Sequence, residues 1–446
     1  MKKPVAMTIA GIDTGNGAGA EADVKTFEVF GIHGVLVVTA ITAQSTKGVF
    51  GILPTDPEFL RKQIQVLKDD FNISGVKVGM IYTKEQFKVY KEEISDIKVK
   101  VVDPVIYAKD GTQLIKDVDE YKELVLKDST VITPNAVEAS ILSGVKINSL
   151  EDMKSSARKL KEMYNVDYVV VKGGHLQGDY SYDLLYGDDL EYYIGYPRLK
   201  EKNTHGTGSV FASSLLSGLV KGYDIKYAFS TAKAIVYNAI RDSLAIGKGI
   251  GPIDPFVDVE RSAMKYKVIQ DMIKFADFVE SKAGFYKLIP EVQSNLAHSI
   301  DPSYVRGLQD IATYRGRIIR RWDTKVIVNH PPVFGNPTHT ARLLLSIISK
   351  GVNADSLINI RYDEKHITCL KEYGLDVIEV NREIEPEVRE GTSMEWIINY
   401  VSENYGKIPN VIYDKGKKGK EAMIRIWSSN IEELIDILDS LVDCNS

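Results

Sequence analysis

Short apolar runs alternate with longer amphipathic segments from the start of the chain to about residue 248. Residues 5–10, 34–40, 76–78, 99–102, 129–133 and 167–172 are rich in Val, Ile and Ala, and they predict buried strands. Between them, residues 84–93, 150–163, 208–220 and 225–244 repeat apolar positions at helical spacing. A further helix is announced by Thr55-Asp56-Pro57, a capping residue followed by Pro at a first-turn position, and extends to about Asp70. This alternation predicts an α/β fold with a mostly parallel sheet and helices on both faces.

Residues 245–255 read AIGKGIGPIDP, a Gly- and Pro-rich break. The pattern therefore divides the chain into a first domain at 1–248, a linker at 249–262 and a second α/β domain at 263–446. In the second, residues 325–329, 375–380, 410–413 and 422–427 read as strands, and 263–283, 340–348, 394–403 and 431–442 as helices.

Composition narrows the class. Of 446 residues, 44% are hydrophobic and 26% charged, enough apolar material for full cores, which excludes global disorder. The 61 acidic and 56 basic residues leave a net charge of −5, so no global positive field attracts nucleic acid or an anionic membrane. The two cysteines, Cys369 and Cys444, exclude a disulfide framework and a cysteine-based zinc site. They suit a reducing cytoplasm. The opening MKKPVAMTIAGID is too short in its apolar part for a signal sequence, and no stretch reads as a membrane span.

Chemistry concentrates at strand ends. Gly11-Ile-Asp-Thr-Gly-Asn-Gly-Ala-Gly19 follows the first strand and matches neither the dinucleotide nor the P-loop pattern. It reads equally as a ligand cradle and as a long turn. Asn203-Thr-His-Gly-Thr-Gly-Ser209 opens a helix of small apolar residues; Gly206 and Gly208 leave backbone N–H groups free at the helix start, which reads as an anion hole or as a plain N-cap with a tight turn, with Ser209 in the first turn. Lys172, before Gly-Gly-His175, closes a buried strand and points toward the crevice where such sheets bind ligands. Asp103 and the pair Asn135/Glu138 follow two other strands and could hold Mg²⁺ through water. Together these polar strand ends point to phosphoryl transfer.

The pieces TIAGIDTGNGAGAEADVKTF, TAITAQSTKGV, VKVGM, VVDPV, ITPNAVEA, VVKGGH, DLLY and NTHGTGS appear in one order across residues 1–248. By them the first domain resembles the hydroxymethylpyrimidine/phosphomethylpyrimidine kinases of thiamine biosynthesis, which are ribokinase-like. The resemblance implies two MgATP-dependent phosphorylations of 4-amino-5-hydroxymethyl-2-methylpyrimidine. It implies Gln44 as reader of the aminopyrimidine, with Gly11, Asp23 and Met80 around that pocket. Asn135, Glu138, Lys172 and Thr207 then fall on the nucleotide side, and Gly206, Gly208 and Ser209 at the reacting group. It also implies a homodimer. Ser209 stands where the family carries Cys, and a hydroxyl is a far weaker base than a thiolate. The first phosphorylation should suffer more than the second, which acts on an oxygen already ionised. Ile12 and Thr14 also replace family serines; only Thr14 keeps a hydroxyl.

In the second domain three basic clusters stand out: residues 315–321, 334–342 and 414–421. Basic residues among glycines suggest a phosphate or pyrophosphate site, although residues 414–420 read as well as a solvated turn. LIPEVQSNLAHSI, RGRIIR, FGNPTHTARLLL, NIRYDE, GTSMEWIIN and YDKGKKGKEAMIRI resemble the archaeal-type thiamine phosphate synthase domain. That resemblance implies coupling of the pyrimidine pyrophosphate to thiazole phosphate with release of pyrophosphate. It puts Arg317 and His339 in catalysis, where Arg or protonated His meets the developing charge. Arg342, Lys415 and Lys420 would bind pyrophosphate, and Asn295, Asn359 and Arg361 would support them. The alternative is an active kinase whose second domain only senses thiamine phosphates. Small molecules are the expected partners, with no nucleic acid and no membrane.

Overall fold

The computed structural model describes residues 3–384, 393–417 and 419–444. It divides into two units, Met1–Val259 and Glu260–Ser446.

The first unit is built on nine strands: β1 (Val5–Ile12), β2 (His33–Ser45), β3 (Gly48–Pro54), β4 (Ile73–Val78), β5 (Lys100–Val102), β6 (Val131–Ile132), β7 (Tyr168–Lys172), β8 (Tyr180–Gly187) and β9 (Leu190–Pro197). They lie in the order β3-β2-β1-β4-β5-β6-β7-β8-β9. Pairing is parallel from β2 through β7, and antiparallel where β3, β8 and β9 join at the edges. The helices are α1 (Gly19–Val29), α2 (Pro57–Asp70), α3 (Lys84–Glu93), α4 (Val118–Tyr121), α5 (Ala136–Ser143), α6 (Leu150–Tyr164), α7 (Thr207–Val220) and α8 (Ile225–Arg241). Their starts follow from the sequence. Asp56, Ser149 and Asp224 each cap a helix through the side chain, and Thr83 forms a capping box with Gln86.

Successive strand residues feed opposite layers, as a pleat requires. Val102, Ile132 and Val171 pack with Leu60, Phe87 and Leu160 on one face. Val101, Val131 and Val170 pack with Phe27, Phe211 and Phe229 on the other. Strands buried on both faces are why the central sequence reads as continuous apolar runs. The edge strands escaped that reading: β3 is half-exposed to exposed throughout, and β8 and β9 mix tyrosines with polar residues.

The Gly- and Pro-rich segment expected as a linker is part of the first unit. Ile250 N–H donates to Thr46 O, His205 N–H to Gly251 O, Leu244 N–H to Pro252 O and Ile253 N–H to His205 O. Its glycines allow close backbone approach. The division falls at 259/260, in the first turn of α9 (Val257–Ser281).

The second unit carries β10 (Leu296–Ser299), β11 (Ile311–Tyr314), β12 (Ile318–Arg320), β13 (Val326–Val328), β14 (Pro332–Phe334), β15 (Ser356–Arg361), β16 (Val377–Glu379), β17 (Val411–Asp414) and β18 (Met423–Ser428). Seven form one sheet in the order β14-β11-β10-β15-β18-β17-β16, antiparallel except for β16 with β17; β12 and β13 form a separate hairpin. Its later helices are α10 (His339–Ser349), α11 (Glu364–Glu372), α12 (Ser393–Tyr405) and α13 (Ile431–Cys444). One sheet face packs Ile358, Ile360 and Ile424 against Phe275, Leu434 and Leu438. The other packs Leu357, Ile412 and Trp427 against Leu344, Ile347 and Ile397.

The two cysteines, expected to be reduced thiols, are joined to each other as a disulfide between α11 and α13, with Cα atoms 6.7 Å apart. Spacing alone could not foresee this, because 75 residues separate them. Among the described residues no helix is long and apolar enough to cross a membrane.

Candidate functional site

The carboxyl ends of the parallel strands in the first unit open into a cavity of about 1140 Å³. Two glycine loops form its wall. Asp13, just past β1, turns its carboxylate inward and accepts N–H bonds from Gly15 at 2.8 Å, Gly17 at 3.1 Å and Ala18 at 2.9 Å. Its pKa lies below the usual value: burial opposes the charge, but these donors and His205 outweigh it. The loop before α7 lies directly against this one. Gly206 has φ +87°, and a side chain there would strike the carbonyl oxygen of Gly17. Gly19 N–H donates to Ser209 Oγ at 3.2 Å, tying the start of α1 to the first turn of α7. The first loop is thus a cradle held by a second loop 190 residues away.

Lys172 and Asp103 form the floor, with Nζ and Oδ1 2.7 Å apart. Thr133 Oγ1 also donates to Asp103 Oδ1, at 3.0 Å. Gly208 leaves no room beside them: a β-carbon would stand 2.9 Å from Asp103 Oδ2. Asn135 and Glu138 make a capping box at the start of α5, an ordinary structural duty, yet both also line the cavity. Burial pushes the Glu138 carboxyl up to about 8; Asp103 adds to the push, while Lys172 opposes it. Lys172 itself stays above its ordinary pKa, because Asp103 and Glu138 outweigh the cost of burial. Two buried carboxylates sharing one ammonium are short of positive charge. No group of three or more His, Cys, Asp or Glu arranged to hold a metal occurs among the described residues, so a cation here would rest on few protein atoms.

A basic rim continues from the floor. Burial brings Lys109 down to about 8. His175 is lowered by burial and then by Lys109, Lys172 and Arg198. Arg198 donates to the carbonyls of Gly174 and Gly178, at 2.8 and 2.9 Å, and so fixes the loop after β7. Such a rim suits a polyphosphate.

Gly11, Gln44, Met80 and Ser209 also line the cavity. Asp23, expected beside them, does not. It is fully buried, where it accepts from Thr8 Oγ1 at 2.6 Å, Ser213 Oγ at 2.7 Å and Lys77 Nζ at 2.8 Å. Burial raises its pKa. Lys77 borders the cavity in its place. Sequence reading passed over Lys77, whose only signal is a lysine inside the apolar strand β4. It also missed Lys233 and Asp183, 2.9 Å apart and both facing the cavity. His205 was read only as a loop residue.

In the second unit, His339 is the first residue of α10, after the capping Thr338. Its pKa is lowered by burial, then by Arg342, Arg317, Arg425 and Lys420. The fold therefore gathers the predicted Arg317, His339, Arg342 and Lys420, and adds Arg425 from β18, which the sequence did not single out. Burial and these cations bias the His339 imidazole toward its neutral form. Arg425 is held 2.7 Å from buried Asp414. Arg317 has φ +69° and donates to Val292 O at 2.7 Å. Lys415 instead pairs with Glu379 at 3.2 Å on the surface. Asn295 and Asn359 bond to backbone: Asn295 to Tyr314, and Asn359 to Asn295 and Gln293. Arg361 ends β15 as an exposed residue. Lys418 lies outside the described residues.

A family profile described as phosphomethylpyrimidine kinase matches residues 13–254, and one described as thiamine-phosphate synthase ThiN matches residues 271–440. Among relatives, the hydroxymethylpyrimidine/phosphomethylpyrimidine kinase of Bacillus subtilis is 40% identical over 256 residues, 56% of this chain and 94% of the relative. That of Aquifex aeolicus is 38% identical, covering 56% of this chain and 99% of the relative. The thiamine biosynthesis bifunctional protein ThiED of Geobacter sulfurreducens is 36% identical, over 57% of this chain and 52% of the relative. Among solved structures, Staphylococcus aureus pyridoxal kinase in complex with AMP-PCP and pyridoxal superposes with TM-score 0.52 at 31% identity, covering 57% of this chain and 94% of that one. The ADP complex of Bacillus subtilis pyridoxal kinase gives 0.52 at 29%, covering 57% and 98%.

Proposed function

The chain belongs to the phosphomethylpyrimidine kinase family, with a thiamine-phosphate synthase domain behind the ribokinase-like kinase, and from that premise we propose how its two sites share the work. The first unit phosphorylates 4-amino-5-hydroxymethyl-2-methylpyrimidine and then its monophosphate with ATP. The second couples the resulting pyrophosphate to thiazole phosphate, giving thiamine phosphate and pyrophosphate. The observation that supports the kinase reading is one cavity lined by Gln44, by the Lys172–Asp103 pair and by the amino terminus of α7.

Catalysis of phosphoryl transfer is mostly positioning and charge stabilisation. The N–H groups of Gly206, Thr207 and Gly208 donate to the oxygens of the transferring phosphoryl group at the positive end of α7. Lys172 neutralises charge on the nucleotide, with the basic rim around it. Ser209 Oγ already accepts from Gly19 N–H, so its hydroxyl hydrogen is available to a substrate oxygen. That makes Ser209 a positioning donor rather than a base. The crowded acids Asp103 and Glu138 fit Mg²⁺ held through water, because a dication would offset the burial, and the smaller repulsion from Asp103, that hold Glu138 protonated. Mg²⁺, when bound, would neutralise phosphate charge.

In the second unit the reaction departs through pyrophosphate, so the task is to bind and stabilise a leaving anion. Arg317, Arg342, Arg425 and Lys420 around His339 supply that charge.

One reaction tests the whole reading: purified protein, hydroxymethylpyrimidine, MgATP and thiazole phosphate, followed by mass spectrometry. Thiamine phosphate is the expected product. Accumulation of pyrimidine pyrophosphate would refute coupling and leave a second domain that only binds; unreacted pyrimidine would refute the kinase assignment.

A further inference from the structure

The side-chain amide of Gln44 touches two neighbours. Thr42 Oγ1 lies 3.2 Å from one end, and His205 Nε2 lies 3.3 Å from the other. What each neighbour can offer is fixed by its other bonds. Thr42 has one hydroxyl hydrogen and gives it to the carbonyl of Ile12, 2.8 Å away. Toward Gln44 it can only accept. Asp13 Oδ2 lies 2.7 Å from His205 Nε2. That oxygen also accepts from the N–H groups of Gly17 and Ala18, while Oδ1 accepts from Gly15. A carboxylate surrounded by donors is ionised and acceptor-only, so His205 carries its proton on Nε2. Nε2 then has no lone pair with which to accept, and its N–H, aimed at Asp13, offers Gln44 a shared second branch.

These constraints leave one orientation. Gln44 Nε2 must face Thr42, and Gln44 Oε1 must face His205. The donors and acceptors around an amide are what tell its oxygen from its nitrogen. The Gln44 backbone is clamped as well: Thr14 Oγ1 accepts from its N–H and donates to its carbonyl, both at 2.8 Å.

We propose that Asp13 and His205, with Ile12 and Thr42, form a hydrogen-bond lock that fixes which end of the Gln44 amide meets the substrate, and that this lock makes the kinase select a 4-aminopyrimidine over its 4-oxo counterpart. The inference rests on the pyrimidine kinase reading above. A 4-aminopyrimidine presents an exocyclic N–H donor beside a ring-nitrogen acceptor. A 4-oxopyrimidine presents the opposite pair, a carbonyl acceptor beside a ring N–H. An amide free to turn over satisfies both. A locked amide satisfies one, because turning it over sets donor against donor at His205 and acceptor against acceptor at Thr42. His205 and Thr42 are therefore positioning residues; they act on the substrate through Gln44.

The test compares kcat/KM for 4-amino- and 4-oxo-5-hydroxymethyl-2-methylpyrimidine in the full chain. Thr42→Val keeps shape and loses the acceptor; His205→Leu loses the donor. Each should lower the amino-to-oxo ratio by about tenfold or more, mainly by raising turnover of the oxo substrate. His205→Gln carries two N–H groups that reach both Asp13 and Gln44, and should restore most of the ratio. Independently, ¹⁵N NMR of the wild-type imidazole should give the Nε2–H tautomer. An unchanged ratio in both Thr42→Val and His205→Leu, or an Nδ1–H tautomer, would overturn the lock. A wild-type protein that phosphorylates neither pyrimidine would instead refute the functional reading. If His205→Leu fails to fold, Thr42→Val and the NMR tautomer still decide.

Discussion

Replacing Gly206 with Ala should open the seam between the two glycine loops. Gly206 sits at φ +87°, and a β-carbon built on it stands 2.0 Å from the Gly17 carbonyl oxygen. The left-handed backbone alone costs a non-glycine residue about 1–2 kcal/mol. Overpacking a tight site adds about 1–3 kcal/mol, giving a total of about 2–5 kcal/mol. Gly222 provides the control. Its φ is +82°, but nothing lies within 4 Å of a β-carbon there, so Gly222→Ala should cost only the backbone part, about 1–2 kcal/mol. Tryptophan fluorescence cannot follow this difference, because Trp322, Trp396 and Trp427 all belong to the second unit. Hydrogen–deuterium exchange resolved by peptide can. Gly206→Ala should speed exchange in residues 13–19 and 205–210 and lower kinase kcat at least tenfold, since the Gly19–Ser209 bond and the anion hole separate. Gly222→Ala should leave both loops protected. If the two variants behave alike in exchange and in kinase rate, the interlocked loops do not build the site.

Other outcomes follow from the charges. Glu138 is held near pKa 8 against an ordinary 4.5, so the folded state retains a proton through that window. The stability this confers is complete below about pH 4.5 and is lost as pH rises through about 8. Melting curves at pH 5 and pH 8 should show wild type losing stability relative to Glu138→Gln, by at most about 5 kcal/mol; parallel curves would refute the buried acid. Lys172→Met should abolish the kinase while sparing coupling of supplied pyrimidine pyrophosphate; loss of both would refute the two-site partition. In coupling assays, Arg425→Met should slow the reaction strongly and Lys415→Met hardly at all, because only Arg425 belongs to the cluster around His339; equal effects would contradict that assignment. Reduction of the Cys369–Cys444 bond, monitored by thiol titration and urea unfolding, should destabilise the second unit by about 4 kcal/mol, the chain-entropy value for a loop of 75 residues.

The central sheet was legible because β1, β4, β5, β6 and β7 are buried on both faces, and such strands leave nearly unbroken apolar runs. The edge strands β3, β8 and β9 carry no such run and went unseen. Cavity-lining residues could be read where a polar side chain at or just past the end of a strand stands next to glycine or proline, as at Asp103, Asn135 and Lys172. They could not be read where the meaning lies in a distant partner. Lys77 looks like an interruption of β4 until Asp23 is found against it, and Asp23 looks like a pocket residue until Lys77 is seen to cover it. Arg425 is hidden in the same way, as one polar residue on an inner strand whose purpose depends on a helix start 86 positions earlier.

The union of residues 13–19 with 203–209, closed by hydrogen bonds from residues 250–253, also sets a clock. These segments are made at opposite ends of the kinase sequence, so the cradle has no wall until the last of them has been synthesised. At about 5–20 residues per second, the first loop waits roughly 12–47 s for its partner. Contacts of such long sequence separation also form late in folding. A ribosome-bound fragment ending before Gly206 would contain Gln44, Asp103 and Lys172 yet have no place to hold a phosphoryl group. The nascent chain cannot turn over ATP while its sheet, though complete in sequence, still lacks the loop that begins α7.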